Sequence, residues 1–218
     1  AIHDLFTARH EKVVNDHVAF RTLSDSPIAI SRLEPALTAL GYRRSGDYRF
    51  DRKKLLACSY KHADPDSPKI FLSELQRHQL SSAAQEILAD IVSQIPQDCA
   101  QQPSIFWQGV LWRAPTMDDY RKLADESEYA AWFVTMGLRA NHFTVSLNHL
   151  QHLNDLRAVI DLLKQHGLSI NTVGGEIKGS PQTLLEQAAT LADSVCFEFS
   201  DGQAHPVPSC FYEFAKRY

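Results

Sequence analysis

Two stretches of the chain alternate apolar residues with polar or small ones, at the period of two that is typical of a β-strand. They run from Asp16 to Leu23 and from Asn141 to Leu147, and each begins with Asp or Asn followed by His. Because successive side chains of a strand point to opposite faces, each predicted strand has an apolar face that packs on helices. The other face carries His17 or His142, and Arg21 shares the face of His17.

A helical pattern follows each of these strands and ends at a glycine. Ser31–Leu40 has apolar residues at helical spacing before Gly41, and Asn154–His166 has them before Gly167. Glycine is the usual residue just beyond a helix, because it adopts the left-handed conformation without steric cost. The strand and helix are therefore repeated in the same order.

Three more strand-like segments follow each helix. In the first half they are Tyr48–Phe50, Leu55–Lys61 and Lys69–Leu75; in the second they are Ile170–Thr172, Val195–Phe199 and Cys210–Ala215. A βαβββ unit thus occurs twice. We expect an α+β fold in which the duplicated modules form a curved, partly open β-barrel around a cavity, where the candidate metal site described below would lie.

This repeat predicts one domain over residues 1–218. The first module covers 1–80, the second covers 137–218, and a mainly helical insert covers 81–136. The helical patterns of the insert are Ser81–Ile95 and Thr116–Met136, and the second has Thr116 as its predicted N-cap.

Composition excludes several classes of protein. Of the 218 residues, 44% are hydrophobic and 22% are charged, and the net charge is −4. These values are typical of a globular protein and give no general attraction to nucleic acid or anionic lipid. No apolar run is long enough to cross a membrane, and residues 1–10 lack the apolar core of a signal peptide. We therefore predict a cytoplasmic protein with no nucleic-acid or membrane partner. The first residue is Ala1 rather than Met, so the sequence leaves open whether residues precede it.

The two repeated histidines are candidate metal ligands. His17 and His142 occupy equivalent inward positions of the repeat, and no CxxC pair offers an alternative zinc site. Two imidazoles alone fit an ordinary buried core as well as a metal site, so a carboxylate on an inward face decides between these two interpretations. Glu213, Glu198 and Glu74 are the candidates, and each also fits an outward, solvated position. Two histidines and one carboxylate would form a facial triad with open coordination positions.

Three segments resemble the DUF1338 family, whose characterised branch is the iron(II)-dependent 2-oxoadipate dioxygenase/decarboxylase. They are Asp16-His17-Val18-Ala19-Phe20-Arg21, Asn141-His142-Phe143-Thr144 and Tyr212-Glu213-Phe214-Ala215-Lys216-Arg217. That family is similar in fold to the vicinal oxygen chelate superfamily, in which the last strand of the second module supplies the carboxylate ligand. The resemblance implies that His17, His142 and Glu213 bind the metal. It also implies that Arg21 is a catalytic residue that binds a substrate carboxylate.

The activity implied by the resemblance is oxidative decarboxylation of a small 2-oxo acid such as 2-oxoadipate. Dioxygen would be the co-substrate, and a 2-hydroxy acid and CO2 the products. Fe(II) is the expected metal, although the ligand set also accepts Zn, Ni, Mn or Co. For Arg21 the alternative is a buried arginine paired with a structural acid.

Two other classes of function fit the same fold. A glyoxalase-like isomerase, lyase or hydrolase would use Zn2+ or Ni2+ as a Lewis acid, with Glu74 as a fourth ligand. A non-catalytic protein would use the cavity to bind a small molecule. The sequence specifies neither the native metal, nor the 2-oxo acid, nor the oligomeric state.

Overall fold

The computed structural model describes residues 2–218, which form six α-helices and ten β-strands. The helices are Ile2–Thr7 (α1), Ile30–Ala39 (α2), Ser82–Ser93 (α3), Met117–Glu126 (α4), Glu128–Met136 (α5) and Leu156–Gln165 (α6). The strands are Asn15–Leu23 (β1), Tyr42–Phe50 (β2), Leu55–His62 (β3), Lys69–Leu75 (β4), Ala140–Ser146 (β5), Lys178–Ser180 (β6), Leu185–Ala189 (β7), Ser194–Glu198 (β8), Ala204–Pro208 (β9) and Phe211–Arg217 (β10). Within residues 2–218, none of these helices is long and apolar enough to span a bilayer.

Eight strands form one curled sheet in the order β2-β3-β4-β1-β5-β10-β7-β6. The two halves of this order mirror each other, because the first and last strands of each unit pair in parallel, as β1 with β4 and β5 with β10. The halves meet where β1 and β5 pair in antiparallel fashion. Among the described residues, β2 and β6 each pair with a single strand, so the barrel stays open. The predicted α+β fold of duplicated βαβββ units is confirmed.

The strands of the second half differ from the prediction. Val195–Phe199 overlaps β8, but β8 pairs with β9 in a separate hairpin, and Ile170 makes only an isolated bridge with Thr190. The sheet instead uses β6 and β7. Sequence alternation misses these strands because β6 is a three-residue edge strand, and the turn before β7 places Leu184 in the left-handed region.

Helices cover one face of the sheet and form two main hydrophobic cores. The first core joins α2, α3 and α5 to the strands of the first half, with Leu33, Leu72 and Phe133 fully buried. The second joins α6 to β5 and β10, and α1 contributes Phe6, which stacks on Phe214. The N-terminal helix therefore packs on the second half of the sheet. The boundaries expected at residues 80 and 136 stay a prediction.

Candidate metal centre

An extra residue interrupts the pairing of β1 and β5 immediately before each histidine. Asp16 in β1 and Asn141 in β5 are these extra residues. Such β-bulges alter the direction in which neighbouring side chains point. Here each bulge brings the Asp or Asn side chain to the Nδ1 atom of the following histidine. The Cα partners flanking the bulges are Asn15–Val145 and His17–Thr144 in one case, and Ala19–His142 and Phe20–Ala140 in the other.

The pairing of β1, β5 and β10 brings His17, His142 and Glu213 together. One ligand atom from each lies within 4.8 Å of the others. Glu213 Oε2 is 3.1 Å from His17 Nε2 and 3.7 Å from His142 Nε2. Two ligands on perpendicular axes, each about 2.1 Å from a metal, lie about 3 Å apart, so this spacing fits a common ion. The three side chains are 13–16% exposed, which leaves one side accessible.

His17 is oriented by a chain of charged groups. Its Nδ1–H donates to Asp16 Oδ2 over 2.8 Å, which directs Nε2 towards Glu213. Burial opposes a charge on His17, but the hydrogen bonds to Asp16 and Glu213 outweigh it and raise its pKa. Burial likewise opposes a charge on Asp16, but Arg217, His17 and Lys69 hold the pKa of that carboxyl far below its usual range.

His142 is held by neutral groups instead. Its Nδ1–H donates to Asn141 Oδ1 over 3.1 Å, and its ring stacks on Phe211 with centroids 4.6 Å apart. Burial lowers the pKa of His142 to about 4, although the negative charge of Glu213 opposes this shift. His142 is therefore neutral near pH 7, and its Nε2 lone pair is available to a metal.

Glu213 is fixed by two donors that the sequence did not identify as functional. Thr144 Oγ1 donates to Glu213 Oε2 over 3.0 Å, and Gln187 Nε2 donates to the same atom over 2.7 Å. Burial opposes its charge, but the hydrogen bond to His17 and the nearby histidines lower the pKa of Glu213. Thr144 shares the inward face of His142 and could have been found from the period of two, whereas Gln187 lies on β7, which was not predicted.

The other two candidate carboxylates lie elsewhere. Glu74 faces helix α2, where its Oε2 accepts a 2.7 Å hydrogen bond from the backbone N–H of Ile30. Glu198 is exposed on the β8–β9 hairpin. When the two parallel strand pairs are superimposed through His17 and His142, the equivalent of Glu213 is Phe71. Among the described residues, only Glu213 therefore completes the cluster with the two histidines.

A cavity of about 420 Å³ adjoins the cluster. Its walls include His142, five aromatic side chains, the cationic residues of the β2–β3 turn and Arg21. The lining residues include Arg21, Phe50, Arg52, Lys53, Phe71, Tyr129, His142 and Phe211.

Arg21 is buried in the wall of this cavity without a full set of partners. Its guanidinium lies 4.9 Å from the ring centre of Tyr129 and 4.8 Å from that of Trp132. The Nη1 atom is buried and has no hydrogen-bond partner among the described residues. The nearest acid is Glu128, whose Oε1 lies 3.8 Å from Nη2, but that side chain is 86% exposed. A buried, unsatisfied cationic donor beside a cavity fits an anionic ligand.

The cluster has the chemistry of a metal centre. Two imidazole nitrogens and one carboxylate oxygen converge, and each histidine is fixed by an acceptor on its other nitrogen, as metal-binding histidines usually are. A three-ligand face leaves room on an octahedral ion for small molecules from the cavity. The donor set suits Fe, Mn, Co, Ni or Zn and does not select among them.

The family model and the curated relatives that match this chain carry the same description. The family model described as 2-oxoadipate dioxygenase/decarboxylase matches residues 4–218. The chain is 32% identical over 220 residues to the chloroplastic 2-oxoadipate dioxygenase/decarboxylase of Arabidopsis thaliana, a match that covers 95% of this chain. It spans 59% of the length of that relative and 60% of the length of a rice relative of the same name.

Solved structures show the same fold. The rice hydroxyglutarate synthase in complex with 2-oxoadipate has a TM-score of 0.90 at 30% identity, covering 99% of this chain and 73% of that one. A Shewanella frigidimarina protein provisionally named a hydrolase also has a TM-score of 0.90, at 38% identity, covering 100% and 93%. A Ralstonia eutropha protein assigned to the glyoxalase superfamily has a TM-score of 0.79 at 26% identity, covering 98% and 75%. The predicted relation to the glyoxalase type of fold is confirmed.

Proposed function

The chain belongs to the 2-oxoadipate dioxygenase/decarboxylase family, and from this premise we propose that it oxidatively decarboxylates a small 2-oxo acid such as 2-oxoadipate. The observation that carries the proposal is the position of Arg21, whose buried Nη1 has no hydrogen-bond partner among the described residues, in a cavity that also reaches the His142 ligand. Such a cavity offers a metal at one side and a cation at the other. A 2-oxo acid with a second carboxylate has matching groups at its two ends.

The proposed reaction consumes one dioxygen for each oxo acid. The bond between C1 and C2 breaks and C1 leaves as CO2. One oxygen atom enters the carboxylate formed at the former C2, and the other enters a hydroxyl group on the next carbon. The product is a 2-hydroxy acid that is one carbon shorter, so atoms and electrons balance without another reductant.

We propose Fe(II) as the metal, with His17, His142 and Glu213 as its ligands. When bound, Fe(II) supplies the electrons that activate dioxygen and the Lewis acidity that promotes loss of CO2. Three protein ligands would leave room on the metal for small molecules that enter from the cavity.

Arg21 would bind the far carboxylate of the substrate. It lies four residues beyond His17 on the same face of β1, about 13 Å along the strand at roughly 3.3 Å per residue. Its side chain lines the same cavity as His142, and a planar guanidinium can donate two parallel hydrogen bonds to a carboxylate. The rings of Tyr129 and Trp132 hold the guanidinium in place before substrate binds.

Aromatic side chains would keep water away from the reacting end of the substrate. Phe71 and Phe211 line the cavity beside the metal ligands, and Phe50 lies in the same wall. Excluding water strengthens the ion pair with Arg21 and limits side reactions of the activated oxygen.

A glyoxalase-like lyase, isomerase or hydrolase with four protein ligands is less well supported. Its predicted fourth ligand, Glu74, caps helix α2, and the pseudo-equivalent position holds Phe71, which has no ligand atom. The third reading, a non-catalytic binding protein, predicts that ligand binding tolerates loss of Glu213.

The decisive experiment measures oxygen uptake and CO2 release by protein reconstituted with Fe(II) under anaerobic conditions. We expect coupled, equimolar uptake and release with 2-oxoadipate in a panel of 2-oxo acids. Both signals should vanish in Glu213→Ala and persist in the control Glu198→Ala, which removes an exposed carboxylate. Silence across the panel from protein that binds one equivalent of metal would contradict the proposal and favour the glyoxalase-like class.

The cellular location stays a prediction. We infer a cytoplasmic protein from the sequence, but the plant relatives are chloroplastic by name. Fractionation of the source cells with an antibody against this chain would decide the point.

A further inference from the structure

Arg217 lies at the end of β10, four residues after the metal ligand Glu213. Its Nε donates to Asp16 Oδ1 and its Nη2 donates to Asp16 Oδ2, each over 2.7 Å. The Asp16 side chain is only 4% exposed, and its Oδ2 also accepts the 2.8 Å hydrogen bond from His17 Nδ1. A continuous path of hydrogen bonds therefore runs from Arg217 through Asp16 to His17.

The second histidine provides an internal comparison. His142 is held by Asn141, the residue equivalent to Asp16 at the other bulge, and this acceptor is neutral. Among the described residues, no arginine donates a hydrogen bond to the Asn141 side chain. The chain therefore has two histidine ligands with similar geometry, of which only one is held by an ion pair.

We propose that Arg217 is a positioning residue that acts through Asp16 to orient His17 and so increases the affinity of the site for its metal. A buried carboxylate is costly unless it is paired, and the bidentate guanidinium both offsets its charge and fixes its rotamer. Asp16 then keeps the proton of His17 on Nδ1 and directs the Nε2 lone pair to the metal. Carboxylates that hold a ligand histidine in this way also increase its basicity.

This role explains why one strand carries both Glu213 and Arg217. When β10 joins the sheet, it supplies one ligand directly and orients a second ligand that lies two strands away. The proposal rests on the proposed metal site, but it concerns metal binding and does not depend on the identity of the substrate.

An effect of charge alone predicts the opposite change in the metal affinity of the Arg217→Gln variant. A positive charge near the site repels a metal cation, so Arg217→Gln would bind metal more tightly if Arg217 acted only through its charge. If Arg217 acts through Asp16, the same variant binds metal more weakly. The direction of the change therefore separates the two mechanisms.

The test is a competition titration of Co2+ against a chromophoric chelator, with the full chain and without any substrate. We expect Arg217→Gln to weaken Co2+ binding about tenfold, within the usual range for groups that orient metal ligands. Asp16→Asn should weaken it by at least as much. The double variant should bind no more weakly than Asp16→Asn alone, because both changes break one path.

Lys216→Gln is the matched control. It removes one positive charge from the preceding residue, whose Nζ lies 5.6 Å from the ring centre of Tyr218 and has no contact with Asp16. Its Co2+ affinity should stay within twofold of the unmodified chain. Arg217→Lys, which keeps the charge but loses the two-pronged geometry, should fall between Arg217→Gln and the unmodified chain.

The visible spectrum of bound Co2+ gives a second readout, since it reports the ligand geometry. We expect the spectrum to change in Arg217→Gln and to be unchanged in Lys216→Gln. Unchanged or tighter binding in Arg217→Gln would overturn the proposal, as would losses that add in the double variant. If the unmodified chain binds no Co2+, or if His17→Ala leaves binding intact, the proposed metal site fails as well.

Discussion

Replacing Arg21 with methionine should shift the substrate preference of the protein from a 2-oxo acid with a second carboxylate to one without it. The fold should stay intact. Methionine is flexible and apolar, so it fills much of the space of the arginine stem between Tyr129 and Trp132 but cannot bind a carboxylate. The variant therefore removes the proposed contact with the far end of the substrate and leaves the metal ligands untouched.

The expected loss follows from the burial of the guanidinium. Breaking a buried ion pair by removing one partner costs about 3–5 kcal/mol. A loss of about 4 kcal/mol corresponds to a roughly thousandfold decrease in kcat/KM, at about 1.4 kcal/mol per factor of ten. The fold should change little, because the variant loses two cation–π contacts but also removes a buried donor that has no partner. We expect the free energy of unfolding to change by less than about 1 kcal/mol.

The assay compares two substrates that differ only at the far end. Oxygen uptake is measured with 2-oxoadipate and with 2-oxohexanoate, which has a methyl group in place of the second carboxylate. Arg21→Met should lose activity towards 2-oxoadipate and gain activity towards 2-oxohexanoate, because the variant no longer leaves a buried cation unpaired beside a methyl group. Urea denaturation of both proteins measures stability.

Two results would refute this reasoning. Equal losses with both substrates would mean that Arg21 acts on the metal site or on the fold rather than on the far carboxylate. A decrease of more than about 3 kcal/mol in unfolding free energy would mean that Arg21 forms a structural ion pair, the alternative that the sequence left open.

Three further predictions concern the fold and the cavity. Glu11→Ala should decrease the unfolding free energy by about 3 kcal/mol in urea denaturation, because the buried carboxylate accepts three backbone hydrogen bonds, from residues 151, 152 and 153. The control Glu198→Ala should change it by less than about 0.5 kcal/mol, and an equally small change in Glu11→Ala would contradict this prediction. Phe71→Glu adds a carboxylate at the pseudo-equivalent of the metal-ligand glutamate, so metal content by mass spectrometry should persist while oxygen uptake is lost; undiminished uptake would show that this position does not face the metal. The double variant Arg52→Gln, Lys53→Gln should decrease kcat/KM for a dianionic substrate at low salt and leave kcat unchanged, since both cations line the cavity. The difference in kcat/KM from the unmodified chain should vanish at high salt, and a difference that persists would exclude electrostatic attraction.

The sequence predicted the centre of the sheet better than its edges. The sequences of strands β1 and β5 alternate apolar with polar or small residues, which predicted that both histidines share the inward side, and the structure brings the two together. Strand β6 is a three-residue edge strand and its neighbour β7 has only five residues, so neither shows a clear alternation, and Gln187 was missed with them. The β8 segment alternates as a strand should, but its partner is the neighbouring β9, and alternation does not specify the partner.

Register explains the remaining differences. Glu74 was a candidate carboxylate, yet it is three residues from Phe71, the true equivalent of Glu213, and so faces the opposite side of the sheet. The bulges at Asp16 and Asn141 depend on pairing between strands that are far apart in the sequence. The sequence shows that Asp16 and Asn141 directly precede the histidines. It does not show the bulges that bring their side chains to the Nδ1 atoms of those histidines.

The differences between the two repeats account for the direction in which the site opens. Duplication provides one histidine from each module, but only the second module adds a carboxylate, because Phe71 stands where Glu213 would be repeated. Likewise, the equivalent of Arg21 in the second module is Ser146, which is buried and hydrogen-bonded to His149. The first module thus has Phe71 where the second has a carboxylate, and Arg21 where the second has a serine. In the proposed metal site, the missing carboxylate would leave coordination positions open on the side of the first module, where Arg21 lines the cavity, and a fully symmetric duplication would have closed that side.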